Sequence, residues 1–178
     1  MNTALSTLPD EATVWSWLEA VCDPEIPVVN LREMGIVREV QVLPEAIRVV
    51  ITPTYSGCPA MGQMQDDVQA VLRAQGVPCE VVVSLSPAWT TDWMTDAARE
   101  KLRAYGIAPP DRCQHPQPGL GREAVLRFVR EAAASVAVPC PRCGSVHTVE
   151  TSAFGSTACK SLHRCLDCRE PFDHFKAI

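Results

Sequence analysis

Cys140-Pro-Arg-Cys143 and Cys165-Leu-Asp-Cys168 are two pairs of thiols, each with two residues between its sulfurs, separated by 21 residues. Two intervening residues let one tight turn present both sulfurs to one ion, and two such turns close the tetrahedron of a structural Zn²⁺ site. Only about forty residues, 138–178, surround the two pairs, too few for a self-sufficient core, so bound metal is expected to supply much of the folding free energy there. Iron or an iron–sulfur unit is the minority alternative as occupant. Cys159 and His163, beside the second pair, are candidate additional ligands.

A different chemistry is open to Cys58, which stands in TPTYSGCPAMGQM between the β-branched run IRVVIT and the helical-looking AMGQMQDDVQAVLRAQ. Pro59 suits the first residue of a helix, where its missing N–H costs nothing and its φ is already helical. That spacing predicts Cys58 as the N-cap, facing free N–H groups and the positive end of the helix dipole. The thiol pKa should then fall, giving a nucleophile or a metal ligand. The plainer account is a core cysteine, since free cysteine is among the most buried residue types. Asp23 and Glu25 flank Pro24 in DPEIP. A rigid bend there would bring hard carboxylate ligands, or a base, toward the Cys58 turn, whereas solvated turn carboxylates are the bland alternative. Cys22 and Cys79 read as core, and Cys113-x-His115 as a solvated pair without a role. No histidine lies in residues 1–110, so Cys58 has no histidine base in that part of the chain.

The elements that must position these groups follow from hydrophobic period and breakers. Asp10 is a good N-cap for EATVWSWLEAVC, with Val14, Trp17, Leu18 and Val21 on one helical stripe, and Pro24 and Pro27 end it. GIVREVQVL and AIRVVITP read as strands joined by a turn at Pro44-Glu45. The helix after Cys58 should bury Met64, Val68, Val71 and Leu72 and end at Gly76. PCEVVVSLS is a third strand, PAWTTDWM places Trp89 and Trp93 as packing and anchoring residues, and DAAREKLRAYG is a helix capped by Thr95. The fold class is α+β: an α-β-β-α-β-α unit over residues 10–108 with a three-stranded mixed sheet, plus a small C-terminal four-Cys zinc ribbon over 138–178. Residues 109–137 form a linker, introduced by GIAPPDRCQHPQPGLG with four prolines and three glycines, and REAVLRFVREAAA within it reads as a short helix. This composition predicts two separate parts, the α-β-β-α-β-α unit with its own core and the ribbon held by its metal.

With 178 residues, 47% of them hydrophobic, the chain has enough material for one ordinary core and a small satellite. Residues 1–110 carry 7 Lys+Arg against 14 Asp+Glu, a net −7, and the remainder 9 against 7, a net +2, which sum to −5. Neither part has the basic footprint of a nucleic-acid-binding domain, so protein or metal partners are expected and nucleic acid is not. MNTALSTLPD has neither the basic start nor the apolar stretch of a signal peptide, and no apolar run approaches the roughly 18 residues of a membrane span. Nine cysteines are an odd number, five of them after residue 139. Reduced thiols in the cytoplasm, some holding metal, fit better than a disulfide scaffold.

The segments DPEIPVVNLREMGIV, TPTYSGCPAMG and PAWTTDWMTDAAREKLRAYGI together resemble the small iron–sulfur assembly domains that include the bacterial SufT-like proteins and the eukaryotic cytosolic iron–sulfur targeting factors. With the tail CPRCGSVHTVETSAFGSTACKSLHRCLDCREPFDHFKAI added, the whole chain resembles the PaaD (PaaJ) family of bacterial phenylacetate degradation. The resemblance implies a non-catalytic accessory factor that assembles or matures a metal centre of the multicomponent phenylacetyl-CoA epoxidase. In that system a di-iron oxygenase works with a reductase carrying a [2Fe–2S] cluster and flavin. The family's reactive cysteine falls on Cys58 and its acidic bend on Asp23 and Glu25. Relatives commonly read D-L-G where this chain has Glu33-Met34-Gly35, and the segment between the domains is longer than in close relatives. Implied cofactors are Zn²⁺ in the ribbon and a transient iron or iron–sulfur cluster at Cys58. Implied partners are the oxygenase, the reductase and the iron–sulfur assembly machinery, with no membrane; self-association into a homodimer is left open. Two other readings compete: a structural subunit of the epoxidase without transfer chemistry, and a Cys-dependent acyl-CoA enzyme.

Overall fold

In a computed structural model, residues 9–111 and 137–177 are described. Asp10 opens helix α1 (Glu11–Leu18) by accepting a hydrogen bond from the Thr13 N–H, as its N-cap position predicts. Val14 and Leu18 turn inward from this helix. Strands β1 (Val37–Val42) and β2 (Ile47–Ile51) form an antiparallel hairpin, closed at Pro44-Glu45 by the Leu43 N–H on the Ala46 carbonyl. Alternate residues Ile47, Val49 and Ile51 are fully buried, the period of a half-covered sheet.

Helix α2 (Met61–Ala74) crosses back and delivers β3 (Cys79–Val83) parallel to β2. The three-stranded sheet is therefore mixed, in the order β1-β2-β3. Met64, Val68 and Leu72 are the buried stripe of α2, with Val71 at its margin. A 3₁₀ turn at Thr91–Trp93 leads into helix α3 (Asp96–Tyr105), capped by Thr95 through the Ala98 N–H and ended by Gly106 in the left-handed region. Trp89 is buried, with its indole N–H on the Met34 carbonyl at 3.0 Å. Trp93 lies under the Arg38 guanidinium, 3.4 Å from its ring centroid. Both indoles thus pack and anchor.

Gly35 sits at φ +70°, and a Cβ there would lie 2.6 Å from the Trp93 Cβ and 2.7 Å from the Trp93 carbonyl oxygen. Gly35→Ala therefore combines a left-handed backbone penalty with overpacking against main chain, and is expected to cost about 2–4 kcal/mol. A urea midpoint unchanged from the parent would show that Trp93 moves aside freely.

The second sheet departs from the expected division of the chain. Strands β5 (Thr148–Ser152), β6 (Lys160–Cys165) and β7 (Pro171–Phe175) form the antiparallel ribbon, but β4 (Ile107–Ala108), at the end of α3, pairs parallel with β7. The order is β4-β7-β6-β5. Cores are exchanged in both directions: Phe175 is 1% exposed in the main core beside Trp89, ring centroids 5.9 Å apart, and Cys159 packs against the same cluster. Ala108 in turn joins Cys140, Cys165 and Phe172 in the small ribbon core. The expectation that the linker isolates the first part's core from the ribbon is thereby corrected. Phe172 and Phe175 are three apart, so they leave opposite faces of β7, and the ribbon is too thin to bury both by itself. The helix read in REAVLRFVREAAA and the pair Cys113-x-His115 lie outside the described residues.

Candidate functional site

The loop after α1 is a closed bend. The Asp23 N–H bonds the Val29 carbonyl at 3.0 Å, the Leu31 N–H bonds the Val21 carbonyl at 2.9 Å, and Cys22 bridges Asn30. Inside it the Asp23 side chain turns back on its own backbone, Oδ1 accepting from the Glu25 N–H at 2.7 Å and the Ile26 N–H at 3.1 Å. Asp23 is 6% exposed while Glu25 is exposed, so the bend holds one carboxylate inward and one outward. Cys22 faces solvent rather than the core, which corrects the sequence reading: its bridge to Asn30 turns the side chain out. Cys79 is partly buried against the main core.

Cys58 follows β2 on a double turn. Its N–H bonds the Tyr55 carbonyl, and its own carbonyl accepts from Met61 at 3.3 Å. That three-residue bond inserts a turn, Pro59-Ala60, before the helix, so Ala60 is the N-cap of α2 and Cys58 is not. The expected lowering of its pKa is also reversed. Burial pushes the Cys58 thiol up; the Ala60 N–H pulls the other way, while the charges of Asp23, Cys159 and Glu25 add to the rise.

The structure does bring the acidic bend and the thiol together, and adds a residue the spacing assigned elsewhere. Asp23, Glu25, Cys58 and Cys159 line one cavity of about 20 Å³, floored by Met64 and Phe175. Cys159 enters on the ribbon, its thiol 3.0 Å from the Thr157 hydroxyl and its carbonyl held by the Lys176 N–H. Burial pushes its thiol up as well, with Asp23 adding to the rise. Counting along the chain shows why Cys159 cannot serve the knuckles: it lies six residue steps before Cys165 along near-extended chain, about 20 Å at the usual rise. His163 is also placed away from them, sharing a 3.0 Å hydrogen bond with the Ser161 hydroxyl and stacked on Phe172. Glu33 is occupied structurally, by Lys101 at 2.7 Å and the Asn30 N–H.

Desolvation dominates at Asp23, raising its pKa against the lowering effect of the Glu25 and Ile26 N–H groups. The folded state therefore holds this proton more tightly than the unfolded chain does. Its contribution to stability is full below about pH 4, the ordinary aspartate value, and is lost as pH rises through the raised one. Asp23→Asn keeps the Oδ1 acceptor and removes the buried charge, so the variant should be at least as stable as the parent at pH 7. The stability difference between variant and parent should widen in the variant's favour from pH 4 to 7, read from urea midpoints; a variant less stable at pH 7 would contradict this.

At the far end of β6 the four knuckle sulfurs, Cys140, Cys143, Cys165 and Cys168, all lie within 4.8 Å of one another. Each knuckle closes on a left-handed residue, Gly144 after the first and Arg169 after the second. Cys140 to Cys168 is 3.7 Å and Cys143 to Cys165 is 3.6 Å. A tetrahedron with Zn–S bonds of about 2.3 Å has edges of about 3.8 Å, so the donor set fits a four-coordinate thiolate ion and not disulfides. The Cys168 N–H helps hold the Cys165 thiol down at about 6, while the neighbouring sulfurs help push Cys143 and Cys168 up. Cys140 and Cys165 are buried and Cys143 and Cys168 exposed, so the site stands at the surface with one side sealed.

A mixed sheet carrying a half-buried thiol and a buried carboxylate, joined to a four-cysteine ribbon, defines a metal-handling class of protein. Residues 11–86 match the family described as iron-sulfur cluster assembly protein, and residues 127–176 match the PaaD zinc beta ribbon domain. An Escherichia coli (strain K12) protein, named as one of the subunits of a "Putative 1,2-phenylacetyl-CoA epoxidase", is 46% identical over 171 residues, covering 96% of this chain and 94% of that one. A Porphyromonas gingivalis Fe-S protein maturation auxiliary factor is 31% identical over 100 residues, 53% of this chain and 92% of its own. The crystal structure of a domain of unknown function, DUF59, from Bacillus anthracis is 32% identical with a TM-score of 0.49, covering 52% of this chain and 90% of that one. The chain belongs to the PaaD family. No helix among the described residues is long and apolar enough to cross a membrane.

Proposed function

We propose that this protein is a non-catalytic accessory factor of aerobic phenylacetate catabolism that delivers iron, or an iron–sulfur unit, to the phenylacetyl-CoA epoxidase. Zinc in the ribbon is structural, and the cargo engages Cys58 beside Asp23 and Glu25. The observation that carries the reading is the convergence of the buried Asp23 carboxylate and the half-buried Cys58 thiol on one cavity. Its relatives' names supply the pathway and the maturation role. A cavity of about 20 Å³ is too small for an acyl-CoA substrate, and the raised Cys58 pKa opposes nucleophilic catalysis, both of which argue against an acyl-transfer enzyme. The work belongs in the cytoplasm, with the iron–sulfur assembly machinery as donor and the oxygenase or reductase as recipient.

Cys58→Ser leaves the fold intact, since a half-buried hydroxyl can accept the Ala60 N–H in place of sulfur; stability should stay within about 1 kcal/mol of the parent. Co-produced with the epoxidase components, the variant should leave the purified oxygenase or reductase short of iron at normal polypeptide levels, and growth on phenylacetate should slow. Fully metallated, active epoxidase from that strain would leave only the reading as a structural component.

A further inference from the structure

We infer that the outer edge of β3 is a pairing edge, and that its occupant is β3 of a second copy of this chain, the two strands running antiparallel so that both three-stranded sheets join into one.

Three observations carry it. The first is which backbone groups the edge leaves free. β3 lies at one end of its sheet and keeps an unbroken register with β2 from Cys79 to Val83. The Ile47 N–H bonds the Pro78 carbonyl and the Ser84 N–H bonds the Ile51 carbonyl, both at 2.9 Å, so the even-numbered residues of this segment face β2. Donors and acceptors alternate sides along a strand. Those of Cys79, Val81 and Val83 therefore point away from β2, and no described strand lies beyond them.

The second observation is the contrast with the other edges. A free strand edge is a template for another chain, and proteins blunt it with charge, proline, a bulge or short length. β1 has a register shift between Val37 and Glu39 and carries Arg38 and Glu39. β5 has a shift between Glu150 and Ser152, and Glu150 is exposed. β4 is two residues long and runs into Pro109-Pro110. β3 has no bulge and no proline within it, and its one charge, Glu80, is held by Arg48 of β2 at 2.8 Å. Val83 is 37% exposed and Leu85, just beyond the strand, 59%.

Charge selects the occupant. Residues 1–110 carry a net −7, and two copies repel each other over most approaches. At this edge the Arg48–Glu80 pair is neutral, so the repulsion is locally absent. Antiparallel strands centred on Val81 set Cys79 opposite the second copy's Val83, and Glu80 opposite the second copy's Val82. The two glutamates do not face each other, apolar residues meet apolar residues, and every outward-pointing residue of the strand is paired. The segment is self-complementary about its own centre, as a two-fold junction requires. A junction of five residues a side is small for an interface, so the dimer is reversible. Antiparallel pairing also puts the carboxyl ends of the two β2 strands, and the Cys58 turns that follow them, at opposite ends of the joined sheet.

The test is sedimentation equilibrium of the full, zinc-loaded chain in thiol reductant, at concentrations up to about 100 µM. The parent should pass from monomer to dimer as concentration rises. Val83→Lys puts a charge on the junction at an exposed position and should weaken dimerisation at least about tenfold. Val83→Pro deletes an outward N–H without removing a bond to β2 and should act alike. Val42→Lys, at the comparably exposed position on the guarded β1 edge, should dimerise as the parent does. Zinc content and near-ultraviolet circular dichroism at monomeric dilution report that each variant is folded. A dimer that reductant abolishes, or one that both Val83 variants form as tightly as the parent, overturns the assignment, as does equal loss in Val42→Lys. A parent monomeric throughout overturns it too and leaves the edge to a strand of a different protein.

Discussion

Removal of the ribbon metal is expected to unfold residues 138–177 outright and to open the Cys58 cavity 101 residues back along the chain from Cys159. The four sulfurs sit at tetrahedral edges of 3.6 and 3.7 Å, and the core behind them consists of Ala108, Cys140, Cys165 and Phe172, with Val138 packed alongside. So little apolar burial cannot hold three strands, and structural zinc in small domains of this kind contributes an apparent 10–16 kcal/mol, as an order of magnitude of about ten. The double variant C140S/C168S, or a strong chelator, should release about one Zn²⁺ per chain and expose Cys159 to alkylation, because the segment carrying it is anchored by β6 and β7. Metal analysis and peptide mapping after iodoacetamide read both effects. Zinc retained by a variant lacking all four knuckle cysteines would overturn the ligand assignment. Zinc lost with Cys159 still protected would show that the ribbon stays docked without it.

Phe175→Ala should destabilise the whole described structure and not the ribbon alone. Its ring is 1% exposed and meets Trp89, whose indole N–H is fixed on the Met34 carbonyl, so truncation leaves a cavity in the main core. Large-to-small changes of this kind cost about 3–5 kcal/mol. Because Trp89 belongs to the first part of the chain and Phe175 to the last, tryptophan fluorescence and zinc release should move together in a urea titration. A variant whose main fluorescence transition is unshifted, with only zinc release earlier, would mean that the two parts unfold independently. Deleting 138–178 should do more harm still, leaving an aggregation-prone fragment with the Trp89 face uncovered.

Local signals in the sequence were strong enough to place most of the elements. The caps at Asp10 and Thr95, the turn at Pro44-Glu45 and the knuckle spacing each act within a few residues, and each appears where its pattern predicts. The pairing of β2 with β3 follows from the intervening helix, which forces a parallel crossover. What the pattern concealed was long-range. Strand β4 is two residues, Ile107–Ala108, followed directly by Pro109-Pro110, too short for any period and immersed in linker composition. The electrostatics of Cys58 depend on burial and on Asp23 and Cys159, neither of which is a sequence neighbour, and helix-start reasoning could not anticipate the turn that sets Cys58 back from the helix or that burial would outweigh the Ala60 N–H. One clue was present: Phe172 and Phe175 on opposite faces of a ribbon strand require two different cores.

The placement of Phe175 also sets an order of events during synthesis. A ribosome releases Asp23, Cys58 and Trp89 well before Thr157, Cys159 and Phe175, and domains gather as their residues emerge. Throughout that interval the nascent sheet lacks the ring that plugs it, and the bend carboxylate stands open to water. Only when the tail has emerged does the cavity gain its remaining walls, Thr157, Cys159 and Phe175. Translation halted early therefore yields a chain with a half-built pocket, walled from the bend and the Cys58 side alone.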